Sequence, residues 1–117
     1  MADGIIITIG TAHIRHADRS GSRRFRKLCQ DAITQACDRA RALGAVPITM
    51  VDDLSIHKIG RWMSVFSSCL AKSARREGIS IIGGEIAQMP DTYSRGYAGL
   101  FVTVVSLAAN RTSGADG

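Results

Sequence analysis

The sequence predicts an α/β fold: a mixed four-stranded sheet with two helices on one face, in the order β-α-β-α-β-β. Three observations carry this. Apolar, mostly β-branched runs of strand length stand at residues 5–9, 46–51, 79–82 and 100–107. Two longer stretches between them carry apolar residues three and four apart, the period of a helix face. Glycine follows each of those stretches, where a helix ends most easily.

The first run, Ile5, Ile6, Ile7, Thr8 and Ile9, reads as a buried strand, and residues 13–22 read as a loop. From 23 to 43, Phe25, Leu28, Cys29, Ala32, Ala36, Ala40 and Leu43 line one helix face, with Ser20 or Ser22 as N-cap and Gly44 as the stop. The second strand spans 46–51. A second helix over 59–77 carries Ile59, Met63, Phe66, Leu70 and Ala74 on one face and ends at Gly78. Trp62 lies beside that stripe and reads as packing. The third strand is 79–82 and the fourth 100–107, and Ile7, Ile48, Ile81 and Val102 are expected at the sheet centre. The strands are apolar on both sides, so the face away from the helices needs a cover of its own.

The chain has 117 residues, the length of one domain, here 1–109 followed by a small, polar tail at 110–117 that is expected to be disordered. With 45% hydrophobic and 21% charged residues it is ordinary for a globular protein. The net charge of +5 concentrates at 19–27 and at Lys72, Arg75 and Arg76, which suits a phosphorylated small molecule or an acidic partner as well as a solvated surface. Aromatic residues make up only 5%, and no reading-helix motif is present, so nothing points to nucleic acid. No stretch has the length of a membrane span. Cys29, Cys37 and Cys69 lack CxxC spacing and fit a reducing, cytoplasmic setting, with Cys29 and Cys69 packed as small apolar residues on helix faces. His13 and His16 with Asp18 lack a third soft ligand in register and make a poor zinc site.

The most informative segment is 79–93, ISIIGGEIAQMPDTY. Adjacent glycines after a strand let the backbone turn sharply and approach a ligand closely. Met89, Pro90, Asp91 and Tyr93 then suggest a loop with an aromatic lid. The string Gly83, Gly84, Glu85, Ala87, Met89, Pro90, Tyr93 resembles the signature loop of the aminoimidazole ribonucleotide synthetase superfamily. Gly44, Ala45 and Pro47 resemble a second family segment, as do Asp52 and Asp53 with Lys58 soon after. The resemblance covers about residues 35–107, as an N-terminal domain only.

What the resemblance implies is a nucleotide-site domain of an ATP-dependent cyclo-ligase. Its reaction converts formylglycinamidine ribonucleotide to aminoimidazole ribonucleotide, using ATP to activate an amide oxygen before ring closure. It implies that two sheets close into a barrel-like homodimer, and that a second, C-terminal domain accompanies this one, here as a possible separate subunit. Glu85 is the implied catalytic carboxylate, against the plainer reading that it pairs with an arginine. Gly10, Thr11, Asp52, Lys58, Gly83 and Gly84 are the implied nucleotide contacts. Asp52 and Asp53 are candidate Mg²⁺ ligands, equally readable as loop-opening acids. His13 is a further phosphate candidate.

The sequence also departs from the family pattern. The family's phosphate and metal motif falls near residues 7–12, and Ile7 and Ala12 stand where it has an acid and a lysine. A second motif, Asn-Asp, is matched by Asp38 and Arg39. Asp3 and Gly4 align as a remnant of the first of these motifs only across a gap of several residues. Magnesium held by phosphate still needs one or two carboxylates. Two functions therefore stay open: a ligase domain, incomplete or degenerate, or a non-catalytic dimerisation module that keeps the fold without ATP chemistry.

Overall fold

The computed structural model of the protein describes residues 4–14 and 21–108, apart from the side chains of Gly21 and Ser22. The elements are β1 (Ile5–Ile14), α1 (Gly21–Ala42), β2 (Ala45–Ile56), α2 (Met63–Glu77), β3 (Ser80–Gln88) and β4 (Ala98–Ala108). This is the expected order and the expected mixed sheet. The strands lie in the order β1-β4-β2-β3. Strand β4 runs antiparallel to both β1 and β2, and β2 and β3 are parallel. The last strand of the chain is thus inserted between the first two, which the α1 crossover left apart.

Alternation along the strands defines two faces. Met50, Leu54 and Ile56 of β2 and Leu100, Val102 and Val104 of β4 are buried and join one core with Leu28, Cys29, Ala32, Ile33, Ala36 and Cys37 of α1. Phe66, Cys69, Leu70 and Ala74 of α2 complete it. Gly44 and Gly78 terminate the helices as expected, with φ of 76° and 74°, the left-handed region open to glycine.

The sheet centre differs from the expectation. Val102 is fully buried, but Ile7 is 63% exposed, Ile48 41% and Ile81 37%. Strands β1 and β3 are the edges, Ile7 points away from the helices, and Ile48 falls at the irregularity between Pro47 and Thr49 in the pairing with β4. Strand lengths also exceed the expectation. β1 continues through His13 to Ile14, β2 through Asp52 and Asp53 to Ile56, and β3 through both glycines to Gln88. Polar and glycine residues that read as strand ends are paired in the ladder instead. In contrast, α2 starts at Met63, four residues late. Ile59 is exposed, and its N–H donates to Gln88 Oε1 at 2.9 Å, so 57–62 form a connection tied to the end of β3. Ser20, His16, Asp18 and Asp3 and the 110–117 tail lie outside the described residues.

The outer edge of β1 is closed by α1. Arg39 Nη1 donates to the Ile9 carbonyl at 2.6 Å, and Thr11 N–H donates to Gln35 Oε1 at 2.6 Å. Between them Gly10 lies directly beneath the helix: a Cβ there would overlap the Ala32 carbonyl. Thr8 adds a bond from its hydroxyl to the Ala36 carbonyl at 2.7 Å. Arg41 ties the helix ends together, donating to Glu77 Oε1 at 2.7 Å.

Candidate functional site

The helix-free face of the sheet divides into an apolar and a polar half. Register pairs directly opposite share a face, which places Ile5, Leu107 and Val46 in one row and Ile9, Thr103, Val51 and Gly83 in another. Ile5, Ile7, Ile9, Val46, Val51 and Leu107 are all exposed there, at 39–68%. The next row reads Thr11, Phe101, Asp53, Glu85 across all four strands, and the last reads His13, Gly99, Ser55, Ala87. Val51, Asp52, Asp53, Gly84, Glu85, Phe101 and Thr103 line a shallow depression of about 300 Å³.

Asp53 and Glu85 are therefore neighbours on one face. Asp52 and Asp53, expected as a metal-binding pair, are not brought together, because successive residues of a strand point to opposite faces. Asp52 points to the helix side with Leu54. There it packs on Gly84, where a Cβ would stand 2.7 Å from the Asp52 carboxyl carbon. Burial pushes the Asp52 carboxyl up to about 6, with the charge of Asp53 adding to the effect.

The double glycine makes no turn. Neither residue has a positive φ, and both continue the parallel ladder with Val51 and Asp52. Gly84 is small because of Asp52. At Gly83 a Cβ would meet only Val51 Cγ1, at 3.7 Å. Gly10 and Thr11 likewise sit inside β1 and not in a phosphate-cradling loop. The Thr11 N–H is already engaged by Gln35, and Arg39, in place of a family acid, is engaged by Ile9.

The turn falls later, at 89–97. Met89 N–H donates to the Ile56 carbonyl at 2.7 Å, and Tyr93 N–H to the Met89 carbonyl at 2.8 Å. Tyr93 lies over the sheet end: a Cβ on Gly99 would be 2.5 Å from its hydroxyl and 3.2 Å from His13 Cδ2. His57 Nδ1–H donates to the Tyr93 carbonyl at 2.8 Å and pins the loop to the end of β2. Tyr93 thus covers one end of the polar row, as an aromatic lid would.

Lys58 is placed elsewhere. It lines a cavity of about 410 Å³ together with Arg24, His57, Trp62, Arg95 and Tyr97, and this cavity shares no lining residue with the Asp53–Glu85 depression. Arg24 belongs to the basic cluster at 19–27, whereas sequence reasoning missed Arg95 and Tyr97, which stand far from Lys58 in the chain and carry no motif.

These features match one family. Residues 3–108 correspond to the AIR synthase related protein, N-terminal domain, and the chain belongs to that family. It is 34% identical over 79 residues to the phosphoribosylformylglycinamidine cyclo-ligase of Limosilactobacillus reuteri (strain DSM 20016), covering 67% of this chain and 23% of that protein. It is 32% identical over 68 residues to the trifunctional purine biosynthetic protein adenosine-3 of Bos taurus, covering 57% of this chain and 7% of that one. The chain thus spans about a quarter or less of the curated relatives it matches. Its fold is shared with thiamine monophosphate kinase from Aquifex aeolicus, at a TM-score of 0.70 and 14% identity over 89% of this chain and 34% of that one. T. maritima PurL complexed with ATP gives 0.69 and 14% over 92% and 17%. No helix among the described residues is long and apolar enough to cross a membrane.

Proposed function

We propose that this domain carries half of a nucleotide site on the helix-free face of its sheet, and that a second copy supplies the other half. The observation that carries the reading is the row Thr11, Phe101, Asp53, Glu85, bordered on one side by exposed isoleucine and valine and on the other by Tyr93. An apolar surface of this kind is stabilised by a like surface at about 25 cal/mol per Å² buried. Pairing of two such sheets into a barrel would turn the polar rows of both copies toward one shared cleft.

ATP with Mg²⁺ is the proposed ligand. The donor set fits a metal held mostly by phosphate: Asp53 and Glu85 offer two carboxylates on one face, and among the described residues no cluster of three or more ligating side chains competes for the ion. Bound there, the metal would neutralise phosphate charge. Glu85 sits on the exposed edge strand, where it can orient the ion or the reacting group, and Tyr93 limits water at the end of the row. Asp52 contributes from behind the sheet by fixing Gly84. Gly83 leaves space above Val51 for close approach of a ligand.

In the parent reaction this domain would serve ATP-dependent activation of an amide oxygen, as in the cyclo-ligase. The isolated chain is expected to bind nucleotide weakly and to turn it over slowly or not at all. Ile7 and Ala12 supply neither acid nor lysine, and a C-terminal-domain subunit is the proposed partner that would wall the cleft. The alternative, a dimerisation module without ATP chemistry, is favoured by the engagement of Thr11 and Arg39 in closing the β1 edge. Calorimetry with ATP, with and without Mg²⁺, separates the two. Metal-dependent binding lost in Glu85→Gln supports the nucleotide site, and no heat at millimolar ATP supports the module. Fast Mg²⁺-dependent turnover abolished by Glu85→Gln would show the chain to be a full catalyst.

A further inference from the structure

Helix α1 holds the outer edge of β1 over only part of its length. In an antiparallel ladder, alternate residues turn both of their peptide groups to the same side. Ala108 N–H donates to the Gly4 carbonyl at 2.8 Å, so the even-numbered residues here face β4. The bonds of Ile9 with Arg39 and of Thr11 with Gln35 show the odd-numbered residues facing outward. Ile5 and Ile7 therefore turn their N–H and C=O groups to the open side, and among the described residues nothing bonds them there.

This stretch of edge is undefended. Edge strands are ordinarily blunted by a lysine, a proline or a bulge. Residues 5–9 read IIITI, without charge or proline, and their pairing with β4 has no irregularity. A short, uncharged, β-branched segment with unpaired peptide groups is a template for a further strand.

A groove runs beside it. Ile7, Thr8 and Ile9 form one wall, and Ala42 and Leu43, at the end of α1, form the other, around a volume of about 470 Å³. Leu43 and Ile7 are both exposed. The single charged group in the lining is Arg39. Its Nη1 serves the Ile9 carbonyl, and the guanidinium carries further donors. Among the described residues Arg39 has no carboxylate partner: Asp31 and Asp38 of the same helix pair with Lys27 and Arg41.

We infer that this groove binds an extended segment of a partner protein as an added strand along β1, a segment with aliphatic side chains and one carboxylate that pairs with Arg39. A strand edge beside a helix gives affinity through main-chain bonds and selects by alternate side chains. Ile5 and Ile7 supply the main-chain bonds. On one face of the added strand, side chains extend the row of exposed isoleucines. On the other they meet Leu43 and, one helical turn away, Arg39. The bonds from Arg39 and Gln35 stop the strand near Ile9, so the segment is short. The nucleotide site proposed above is not needed for this binding.

The probes are fluorescein-labelled peptides, Val-Leu-Val-Glu-Val and its reverse, which cover both strand directions. Each is titrated into the full chain and followed by fluorescence anisotropy. Saturable binding of at least one is expected. Exchanging Glu for Lys in the peptide, or N-methylating two successive amides, should each weaken binding by about tenfold or more, the first by losing a charge-assisted bond and the second a ladder bond. Leu43→Asp should do the same. Arg39→Glu should reverse the preference in favour of the Lys peptide, a reversal that is readable even if the variant is less stable. Ile82→Lys, exposed on the opposite edge strand, should leave binding unchanged. Equal binding of the Glu and Lys peptides would refute the pairing with Arg39, and undiminished binding of the N-methylated peptide would refute the strand. Loss of binding in Ile82→Lys would move the site to β3 and overturn the inference. A dimer that dissociates as peptide binds would give the groove to a second copy instead of a partner. Absence of saturable binding at millimolar peptide would overturn the site.

Discussion

Asp52 and Gly84 are register partners on adjacent parallel strands, and the carboxyl group of one occupies the space that a side chain on the other would take. The second glycine of the signature string is thus set by an acid thirty-odd residues earlier in the chain, and the two motifs form one packing unit.

Gly84→Ala is expected to destabilise the domain by about 1–3 kcal/mol, as overpacking against the Asp52 backbone and carboxyl does. Gly83→Ala, whose nearest neighbour is a valine methyl at 3.7 Å, should stay within about 0.5 kcal/mol. Urea denaturation of both variants measures the contrast.

The Asp52 carboxyl, pushed up to about 6 by burial, gives the fold a pH dependence. Its ordinary value is 3.8, so between that value and about 6 the folded state binds more protons than the unfolded chain. Stability therefore falls as pH rises through this window and does not recover above it. The loss is on the order of 1 kcal/mol once the partial solvent access of the group is allowed for. Asp52→Asn should flatten this part of the stability–pH curve and raise stability at pH 7.

Gly10→Ala should cost more than Gly84→Ala, about 3 kcal/mol or above, because the obstacle is the α1 backbone at Ala32 and not the tip of a side chain. A melting temperature close to that of the unchanged protein would show that α1 can lift off β1.

The three cysteines are buried and free of disulfides. Burial raises the Cys29 thiol to about 12 and the Cys37 thiol to about 11. Both should resist a thiol reagent at pH 8 in the folded protein and react at once in denaturant. Rapid labelling of the native state would contradict the packing of α1 on α2.

Ile7 and Val51 are exposed on the helix-free face. Ile7→Lys should leave the melting temperature within a few degrees of the original and shift self-association toward monomer by light scattering. A dimer that survives both Ile7→Lys and Val51→Lys would place the pairing surface elsewhere.

Much of this architecture was legible in the residues. Helix periodicity, the stops at Gly44 and Gly78 and the four apolar runs identify every element, because local chemistry determines them. Strand ends were less legible. Thr11, His13, Asp52, Asp53 and Glu85 look like loop residues, yet each lies in a strand, and all but Asp52 gather at one end of the otherwise apolar helix-free face. Which acids meet was hidden for the same reason: adjacency in sequence separates Asp52 from Asp53, while strand pairing joins Asp53 to Glu85. The cavity around Lys58 draws on residues from Arg24 to Tyr97, a juxtaposition created only by the fold.

The bonds from Arg39 and Gln35 to the backbone of β1 leave the sheet asymmetric. Its first margin is held by the chain's own helix at Ile9 and Thr11, while β3, exposed along nearly its whole length, offers unpaired peptide groups at the opposite margin. Among the described residues, a strand added along β3 meets no helix bonded to that margin. That side carries Gly83, Gly84 and Glu85, so a strand added there, whether by an assembly partner or by misassociation, would pair with the signature segment itself.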